Sequence, residues 1–335
     1  MTDRLSNIPD FSLQVGDKDL TGEVRPRLMS LTLSEKRGDE ADQLDIVLDD
    51  SEGGLAIPSE GALLRLALGW RQGRDVVQGL VDKGSFKVDD VGHSGPPDRI
   101  RIRARAADFT SDIRNRREQS WRNTTLGAVL KEVAGRNALS PRIAPDLAAI
   151  SLPVATQSRE SDIAFLRRMG RENDAVATIK DRKLIFARKG AGVTTTGATL
   201  PTVSIRRRGG DGHNWQRQKR DGQEGVIATW HDRKAAKRQT VTVGQKDGAK
   251  RLRKTYPDEA SARRAATAER DRLKRALATF DCKLALGRPD IYVDLRADVS
   301  GFKEGIDGAW LITEVTHNLD NGSGFTTSLK MELPS

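Results

Sequence analysis

The sequence is poor in the side chains that most cofactor and redox sites require. Its 335 residues include one cysteine, Cys282, and four histidines, and aromatic residues make up 4% of the chain. A single thiol excludes an intrachain disulfide framework and a zinc cage of thiolates. So few aromatic rings also argue against a platform on which nucleic-acid bases stack. We therefore expect no cofactor, no bound metal and synthesis in a reducing cytoplasm.

Long hydrophobic runs are absent as well. No window approaches the ~18 consecutive apolar residues of a membrane-spanning helix, and residues 1–10 lack a basic segment followed by an apolar one. We expect neither membrane insertion nor secretion through a signal peptide. The length instead allows about two to three domains with buried cores.

Motifs that carry catalysis are also missing. The four histidines are His93, His213, His231 and His317. No two of them have the spacing of metal ligands on one helix, and although Asp232 follows His231, no Gly-x-Ser-x-Gly marks a serine nucleophile. The absence of any Gly-Lys pair excludes a Walker phosphate loop. Adjacent carboxylates, Asp49-Asp50 and Asp89-Asp90, would face opposite sides of a strand, so we expect no enzymatic activity.

Positive charge is what the sequence has in excess. Lysine and arginine number 57 against 47 aspartate and glutamate, which gives a net charge of +10. Such a field favours polyanions or acidic protein partners. The densest basic clusters are Arg114–Arg117, Arg206–Arg208 and Arg217–Arg220. Without a helix-turn-helix, zinc-finger or RNA-binding signature, they do not indicate specific nucleic-acid recognition and are equally typical of solvated loops or contacts to acidic neighbours.

The hydrophobic pattern of the first two thirds changes once. Apolar and polar residues alternate in part over 28–33 and 44–48 and strictly over 100–106. This alternation predicts strands with one face exposed to solvent. From about residue 109 the period becomes helical, with one helix from Leu126 capped by Thr124 or Thr125 and a second starting at Ser161. A hairpin is expected to follow, from 176–179 and 184–186.

The last third contains two predicted breaks and a long helix. Residues 190–197 read as a linker and 206–225 as a basic, glycine-rich loop. The longest predicted helix covers 258–280, with Ala262, Leu273 and Phe280 on its apolar stripe. Further strands are expected at 226–230, 240–243, 292–295, 310–315 and 326–333.

Short motifs occur along nearly the whole chain in the order found in the late control gene D family of phage tail proteins, which the sequence resembles. Those of the first half are Pro9-x-Phe11, Gly16, Asp19-Leu20-Thr21, Leu28-x-Ser30-Leu31, Glu40-Ala41-Asp42-x-Leu44, Leu48-Asp49-Asp50, Pro58, Gly61, Leu68-Gly69, Ser161–Arg168 and Asp181-x-Lys183-Leu184-x-Phe186. The C-terminal set is the most specific: Arg253-x-x-Tyr256-Pro257, Glu259-Ala260, Gly287-Arg288-Pro289-Asp290, Gly301-Phe302, Ile306-Asp307-Gly308-x-Trp310-x-Ile312, Val315-x-His317 and Gly324-Phe325-x-Thr327. The basic stretch 206–225 departs from the family pattern.

The resemblance implies a baseplate hub of a contractile tail, similar to the N-terminal part of type VI secretion spikes. Such hubs are homotrimers in which each chain supplies two β-barrels like those of tail-tube proteins. The resulting ring of six barrels joins the sixfold tail tube to the threefold central spike. The implied partners are the tube, spike and tape-measure proteins, together with baseplate wedge proteins. The implied location is the baseplate of the virion, assembled in the host cytoplasm.

The implied fold is mainly β with an α+β insertion. A first tube-like barrel would span 1–108, a middle α+β domain 109–192, and a second barrel with the long helix 193–335. The first barrel would include 28–48 and 100–106, and the second 226–243 and 310–333. Trp310 and Ile312 would then be core residues, and His317 a hydrogen-bonded strand histidine and not a ligand.

Two other functions remain open at this stage. A basic regulator that binds nucleic acid would fit the net charge, and a tail-associated peptidoglycan hydrolase would fit a tail location. They differ from the hub in salt response and in the need for catalytic carboxylates. The sequence leaves open the kind of injection particle, the interfaces, whether the trimer needs the spike, and the role of 206–225.

Overall fold

The computed structural model describes residues 6–38, 41–106, 111–180, 182–218, 225–232 and 234–334. The strands of the first third are β1 Ile8–Val15, β2 Lys18–Asp19, β3 Leu28–Lys36, β4 Gln43–Asp49, β5 Leu63–Gln72, β6 Gly79–Ser94 and β7 Arg99–Ala106. Those of the middle third are β8 Arg116–Thr125, β9 Ser140–Ile143, β10 Ser151–Ser161, β11 Ala175–Lys180 and β12 Lys183–Arg188. The remaining strands are β13 Thr202–Arg206, β14 Gly210–Arg217, β15 Val226–Asp232, β16 Lys237–Val243, β17 Lys250–Tyr256, β18 Ala278–Leu284, β19 Arg296–Ser300, β20 Gly308–Asp320 and β21 Gly324–Glu332. The α-helices are α1 Thr21–Val24, α2 Leu126–Arg136, α3 Pro145–Ala148, α4 Asp162–Glu172 and α5 Glu259–Arg275.

The largest sheet has thirteen strands and consists of two halves. In the first half the order is β3-β4-β7-β6-β5-β1-β2, and in the second it is β14-β18-β21-β20, with β19 beside β20 and β13 beside β19. The long strand β20 joins the halves because its start pairs with β19 and its end pairs with β3. Neither half closes on itself among the described residues.

Alternating side chains build a separate core under each half. On β3 and β7 the buried positions are Leu31, Leu33, Ile100, Ile102 and Ala104, which follow the predicted period of two. The second half buries Phe280, Trp310 and Ile312, as the sequence predicted for the last two. Complete burial of such a side chain contributes roughly 1.5–3 kcal/mol.

Side chains also cross between the two halves away from β20. The Trp70 indole nitrogen donates to the Gly287 carbonyl at 2.9 Å, and its ring lies 5.4 Å from that of Phe325. A Cβ atom at Gly287 would come within 2.5 Å of the Phe325 ring. The glycine therefore permits a close approach of backbone to aromatic ring that another residue would block.

The middle third forms its own two sheets and two main helices. The ribbon β8-β10 and the sheet β11-β12-β9 enclose α2 and α4, with a core that includes Val129, Phe165 and Phe186. Thr125 caps α2 by accepting a backbone hydrogen bond, as one of the two predicted caps. Ser161, the predicted start of the second helix, is the cap of α4, which begins at Asp162.

A small sheet lies outside the thirteen-stranded one. Strands β16-β15-β17 form it, and α5 covers one face, packing Ala262 and Ala266 against Val226, Ala228 and other apolar residues. The prediction that 226–243 shares a sheet with 310–333 is therefore wrong. The apolar face of these strands is buried by the helix and not by the C-terminal strands.

The predicted helix 258–280 is too long. It begins after the cap Asp258 and ends at Arg275, and residues 278–284 are strand β18 between β14 and β21. Burial in β18 alternates through Ala278, Phe280, Cys282 and Leu284, so Phe280 faces a sheet core and does not belong to a helical stripe.

Two other predicted segments differ from the structure. The predicted loop 206–225 contains strand β14, which pairs with β18, while residues 219–224 lie outside the described residues. Residues 292–295 are not a strand but lead into β19, which starts at Arg296. No described helix is long and apolar enough to cross a membrane.

Candidate functional site

The four histidines, for which the sequence predicts no metal site, have different surroundings. His93 is 3.7 Å from Asp50, His213 packs edge-on against Phe302, and His231 is exposed at the end of β15. Only His317 is completely buried. Within the described parts of the chain, no three potential metal-ligating side chains gather.

The remaining candidates have structural surroundings. Asp89 pairs with Arg105 and Asp90 with Arg103 on the outer surface of the first half. Cys282 is buried in the second core, where burial raises the pKa of its thiol to about 12, so the reactive thiolate is not populated at neutral pH.

The basic clusters are spread over separate elements. Arg117 lies 3.6 Å from the buried carboxylate of Asp162, and Arg207 lies over the ring of Phe302 at 5.8 Å. The cluster Arg217–Arg220 is only partly inside the described residues. The structure thus does not bring the three clusters into one phosphate-binding groove through any described contact.

A buried charged cluster lies where the two halves of the large sheet meet. Glu35 of β3 accepts a hydrogen bond from Lys83 of β6 at 2.9 Å, and both side chains are almost completely buried. His317 of β20 places Nε2 3.4 Å from the same Glu35 oxygen, while its Nδ1 is 2.9 Å from the Thr327 hydroxyl. The predicted role of His317 as a hydrogen-bonded strand histidine is consistent with this geometry.

The middle third contributes to the same cluster. Lys180 of β11 brings its ammonium to 3.6 Å from Glu35. The Tyr292 ring lies beneath both amines, 3.9 Å from that of Lys83 and 5.2 Å from that of Lys180. Cations over an aromatic face are favoured electrostatically. We call Glu35, Lys83, Lys180, Tyr292 and His317 the buried junction.

Burial and neighbouring charges determine which groups of the buried junction are ionised. Burial opposes the charge of Glu35, but hydrogen bonding to His317 and the charges of Lys83 and Lys180 outweigh it and lower the pKa of Glu35 to about 2. Burial lowers the pKa of His317 below its ordinary value, so the imidazole is neutral at neutral pH. The cluster therefore contains a buried carboxylate surrounded by hydrogen-bonded and cationic partners.

A second network connects the same parts of the chain. Arg275, the last residue of α5, is buried and donates to Asp174 of the middle third at 2.8 Å. Its Nε lies 3.2 Å from Glu332, which also accepts a 2.6 Å hydrogen bond from Arg37. Arg37 in turn lies 3.7 Å from Asp294, whose pKa burial raises to about 6.

These two clusters connect parts of the fold. They pair charges across the two sheet halves, the middle third and α5. Sequence reasoning missed Glu35, although the buried series Leu31, Leu33, Glu35 has the period of one strand face and could have indicated it. Nothing local indicated that Lys83 and Lys180 would meet there.

The family follows from comparison with known proteins. The model of the phage tail baseplate hub family (GPD) matches residues 44–323, well over half of the chain. The chain belongs to this family. It is a structural component of the phage tail and not an enzyme.

A curated relative supports the same assignment over nearly the full length. The chain is 41% identical to the probable baseplate hub protein of Escherichia phage P2, over 97% of this chain and 93% of that protein. The resemblance inferred from the short motifs is thereby confirmed.

Solved structures share the fold at low sequence identity. A tail protein from Neisseria meningitidis MC58 superposes with a TM-score of 0.70 at 13% identity, covering 97% of this chain and 96% of that one. A component of the type VI secretion system of E. coli superposes with a TM-score of 0.60 at 12% identity, covering 96% of this chain and 76% of that one. At these identities, both structures show a shared fold.

Proposed function

We propose that the chain acts as a homotrimeric adaptor that joins the sixfold tail tube to the threefold central spike. The observation that carries this proposal is the division of the large sheet into two halves of similar size, each with its own core. Three chains with two such halves supply six, which is the number a sixfold tube requires.

The open ends of the large sheet support assembly into a ring. Strands β1 and β14 lie at or near opposite ends of the strand order, and β13 has only one neighbour, among the described residues. Such edges expose backbone donors and acceptors that another chain can cover. In a closed ring every edge of this kind meets a neighbour, whereas an isolated chain leaves it open.

The division into domains belongs to the same proposal. The first half would be a tube-like barrel over 1–108, the middle third an α+β domain over 109–192, and the remainder a second barrel over 193–335 with the α5 sheet as an addition. The buried junction supports a fixed arrangement, because Glu35, Lys83, Lys180 and His317 come from all three. Partners in this assembly would be the tube, spike and tape-measure proteins, and wedge proteins of the baseplate.

The solution mass of the purified, nuclease-treated chain tests this proposal. Light scattering at moderate and high salt, with and without the spike protein, should reveal a species of about 110 kDa, three times the 36.8 kDa chain. A large interface should keep this species intact at high salt. Images should then display threefold symmetry with six similar lobes. A chain that stays monomeric even with the spike present would contradict the proposal.

A further inference from the structure

The small sheet presents an exposed face of unusual composition. Its strand β15 directs Val226 and Ala228 toward α5, so Ile227 and Thr229 lie on the other face. The register places Thr229 beside Thr240 of β16 and Thr255 of β17. This face therefore carries adjacent hydroxyl groups on three strands, with Ile227 beside them.

Positive charge surrounds this face without matching negative charge. Residues 225–256 contain nine lysines and arginines but two aspartates. Lys250 pairs with Glu269 and Lys254 with Glu172. Among the described residues, the other cations of the sheet have no carboxylate within ion-pair distance; these are Lys234, Lys237, Arg238, Lys246, Arg251 and Arg253. Cations on edge strands discourage sheet aggregation, and Arg238, Arg251 and Arg253 lie on the edge strands β16 and β17.

A cleft of about 330 Å³ opens beside the same sheet, where β17 and α5 face β10 and α4. Three cations line it: Arg168, Lys254 and Arg264. Glu172 is the carboxylate of the lining and is shared, at 2.6 Å from Lys254 and 3.4 Å from Arg168. Arg168 is also paired with Glu160, which leaves Arg264 as the cleft arginine without an ion pair among the described residues.

Arg264 is the cation of this cleft with the least compensation. Its guanidinium donates to the Ser261 hydroxyl at 3.1 Å and has no ion pair among the described residues. Burial lowers the pKa of Arg264, and the more distant charges of Asp258 and Glu172 offset this only in part. An arginine fork presents five donors suited to a carboxylate, and most of those donors are unused here.

Tyr256 adds a neutral donor to the same wall. Its side chain lines the cleft, and its hydroxyl has no hydrogen-bond partner among the described residues. Burial and the charges of Glu172 and Glu269 raise its pKa to about 12, so the phenol keeps its proton. A carboxylate in the cleft would accept from both the phenol and the guanidinium.

We propose that the small basic sheet and its cleft dock an acidic segment of a partner protein, with one carboxylate of that segment bound by Arg264 and Tyr256. A protein fits better than nucleic acid because no tryptophan, tyrosine or phenylalanine lies on the described outer face of the sheet to stack bases. The inference rests on the proposed hub role only in expecting the partner to be another tail protein.

Binding of a labelled decaglutamate peptide to the full chain tests this inference. Fluorescence anisotropy at low salt should register binding to the wild type and about tenfold weaker binding to Arg264→Gln, because a charge-assisted pair is lost. Tyr256→Phe should weaken binding less. The matched control is Arg263→Gln, since Arg263 is its neighbour in α5 but is exposed and paired with Glu259; it should remain within twofold of wild type. Unchanged thermal unfolding of Arg264→Gln would establish that the variant is folded.

Three outcomes would overturn the inference. The first is that decaglutamate does not bind, and the second is that Arg264→Gln and Arg263→Gln lose the same affinity for it. The third is that a short DNA duplex binds more tightly than decaglutamate and that its affinity does not depend on Arg264. The last would identify a nucleic-acid surface. Peptide binding can be measured whether the chain is a monomer or a trimer. The result therefore tests this inference even if the trimer proposal fails.

Discussion

The outer face of the first sheet half and the outer face of the small sheet differ in how their charges are arranged. On the first, Arg101 and Arg103 both donate to Asp45, and Arg105 pairs with Asp89. On the second, most cations have no carboxylate neighbour among the described residues. Both faces contain arginines, but the unpaired cations are concentrated on the second face.

The same difference appears in the distribution of charge along the chain. Residues 1–108 contain 15 lysines and arginines against 20 acidic residues, whereas residues 109–335 contain 42 against 27. The excess of positive charge therefore lies in residues 109–335, whereas residues 1–108 contain more acidic than basic residues. A charge indicates a partner only where the fold itself has not already paired it.

Breaking a paired charge in the interior should have the largest effect. Lys83→Met leaves Glu35 buried without its main cation, and we expect the free energy of unfolding to fall by about 3–5 kcal/mol. The double variant Lys83→Met with Glu35→Met should recover much of this loss, since the uncompensated charge is gone. Urea unfolding measures both.

The matched control is Lys87→Met, because Lys87 is exposed on the same strand β6. Its effect should stay within about 0.5 kcal/mol. A Lys83→Met variant as stable as this control would mean that the buried Glu35–Lys83 pair does not stabilise the fold.

Titration of the second network should have the next largest effect. Asp294 has a folded-state pKa of about 6, above its ordinary 3.8, so the folded chain binds a proton between these values that the unfolded chain does not. Its contribution to stability therefore grows as the pH falls from 7 to 5 and is lost as the pH rises through 6. Relative to Asp294→Asn, the wild type should gain roughly 1 kcal/mol over that interval.

Unfolding at pH 5, 6 and 7 checks this prediction. Asparagine tolerates the left-handed backbone of position 294, where φ is 65°, so the substitution adds little strain. Asp298→Asn, exposed on β19, controls for the loss of a carboxylate. If the free energies of unfolding of wild type and Asp294→Asn differ by the same amount at all three pH values, the raised pKa of Asp294 is contradicted.

Removing an acid from the paired face should have a modest effect. Asp45→Asn takes the shared partner from Arg101 and Arg103, and we expect a loss of about 0.5–1 kcal/mol at low salt. The loss should shrink in about 1 M salt, where exposed charges are screened. A salt-independent loss would indicate that Asp45 stabilises the strand in another way.

Removing cations from the unpaired face should have the smallest effect and the opposite sign. The double variant Arg251→Gln with Arg253→Gln removes no described ion pair and relieves repulsion, so stability should change by less than about 0.5 kcal/mol or rise slightly. Thermal unfolding of this double variant and of Asp45→Asn under the same conditions compares the two effects. A loss larger than that of Asp45→Asn would show that these arginines are needed by the fold.

Local patterns predicted the elements whose ends and faces are determined by near neighbours. Strict alternation located β7, the candidate cap Thr125 located α2, and the predicted helix start at Ser161 lies one residue before α4. The end of α5 was missed because Phe280 repeats at a helical interval from earlier apolar residues, while its actual environment is created by β14 and β21. Strand β14 was missed for the same reason, because its partner β18 lies about 60 to 75 residues later in the chain.

The buried junction could be predicted only in part. His317 was expected to be a hydrogen-bonded strand residue, and the period through Leu33 could have flagged Glu35 as buried. The pairing itself joins β3, β6, β11 and β20, and no local pattern contains that information. Surface pairing is hidden in the same way, because adjacent basic residues look alike in sequence whether or not an acid faces them.

The pairing of β3 with β20 also has a consequence for how the chain folds. Seven residue pairs connect these strands across about 280 residues, and Thr32 donates to Asn318 at 2.8 Å. Contacts of such sequence separation close late and slow folding. During synthesis β20 is made about 280 residues after β3, so this edge of the first half stays uncovered throughout that interval. The folding of the first half therefore depends on a strand that is translated long after it.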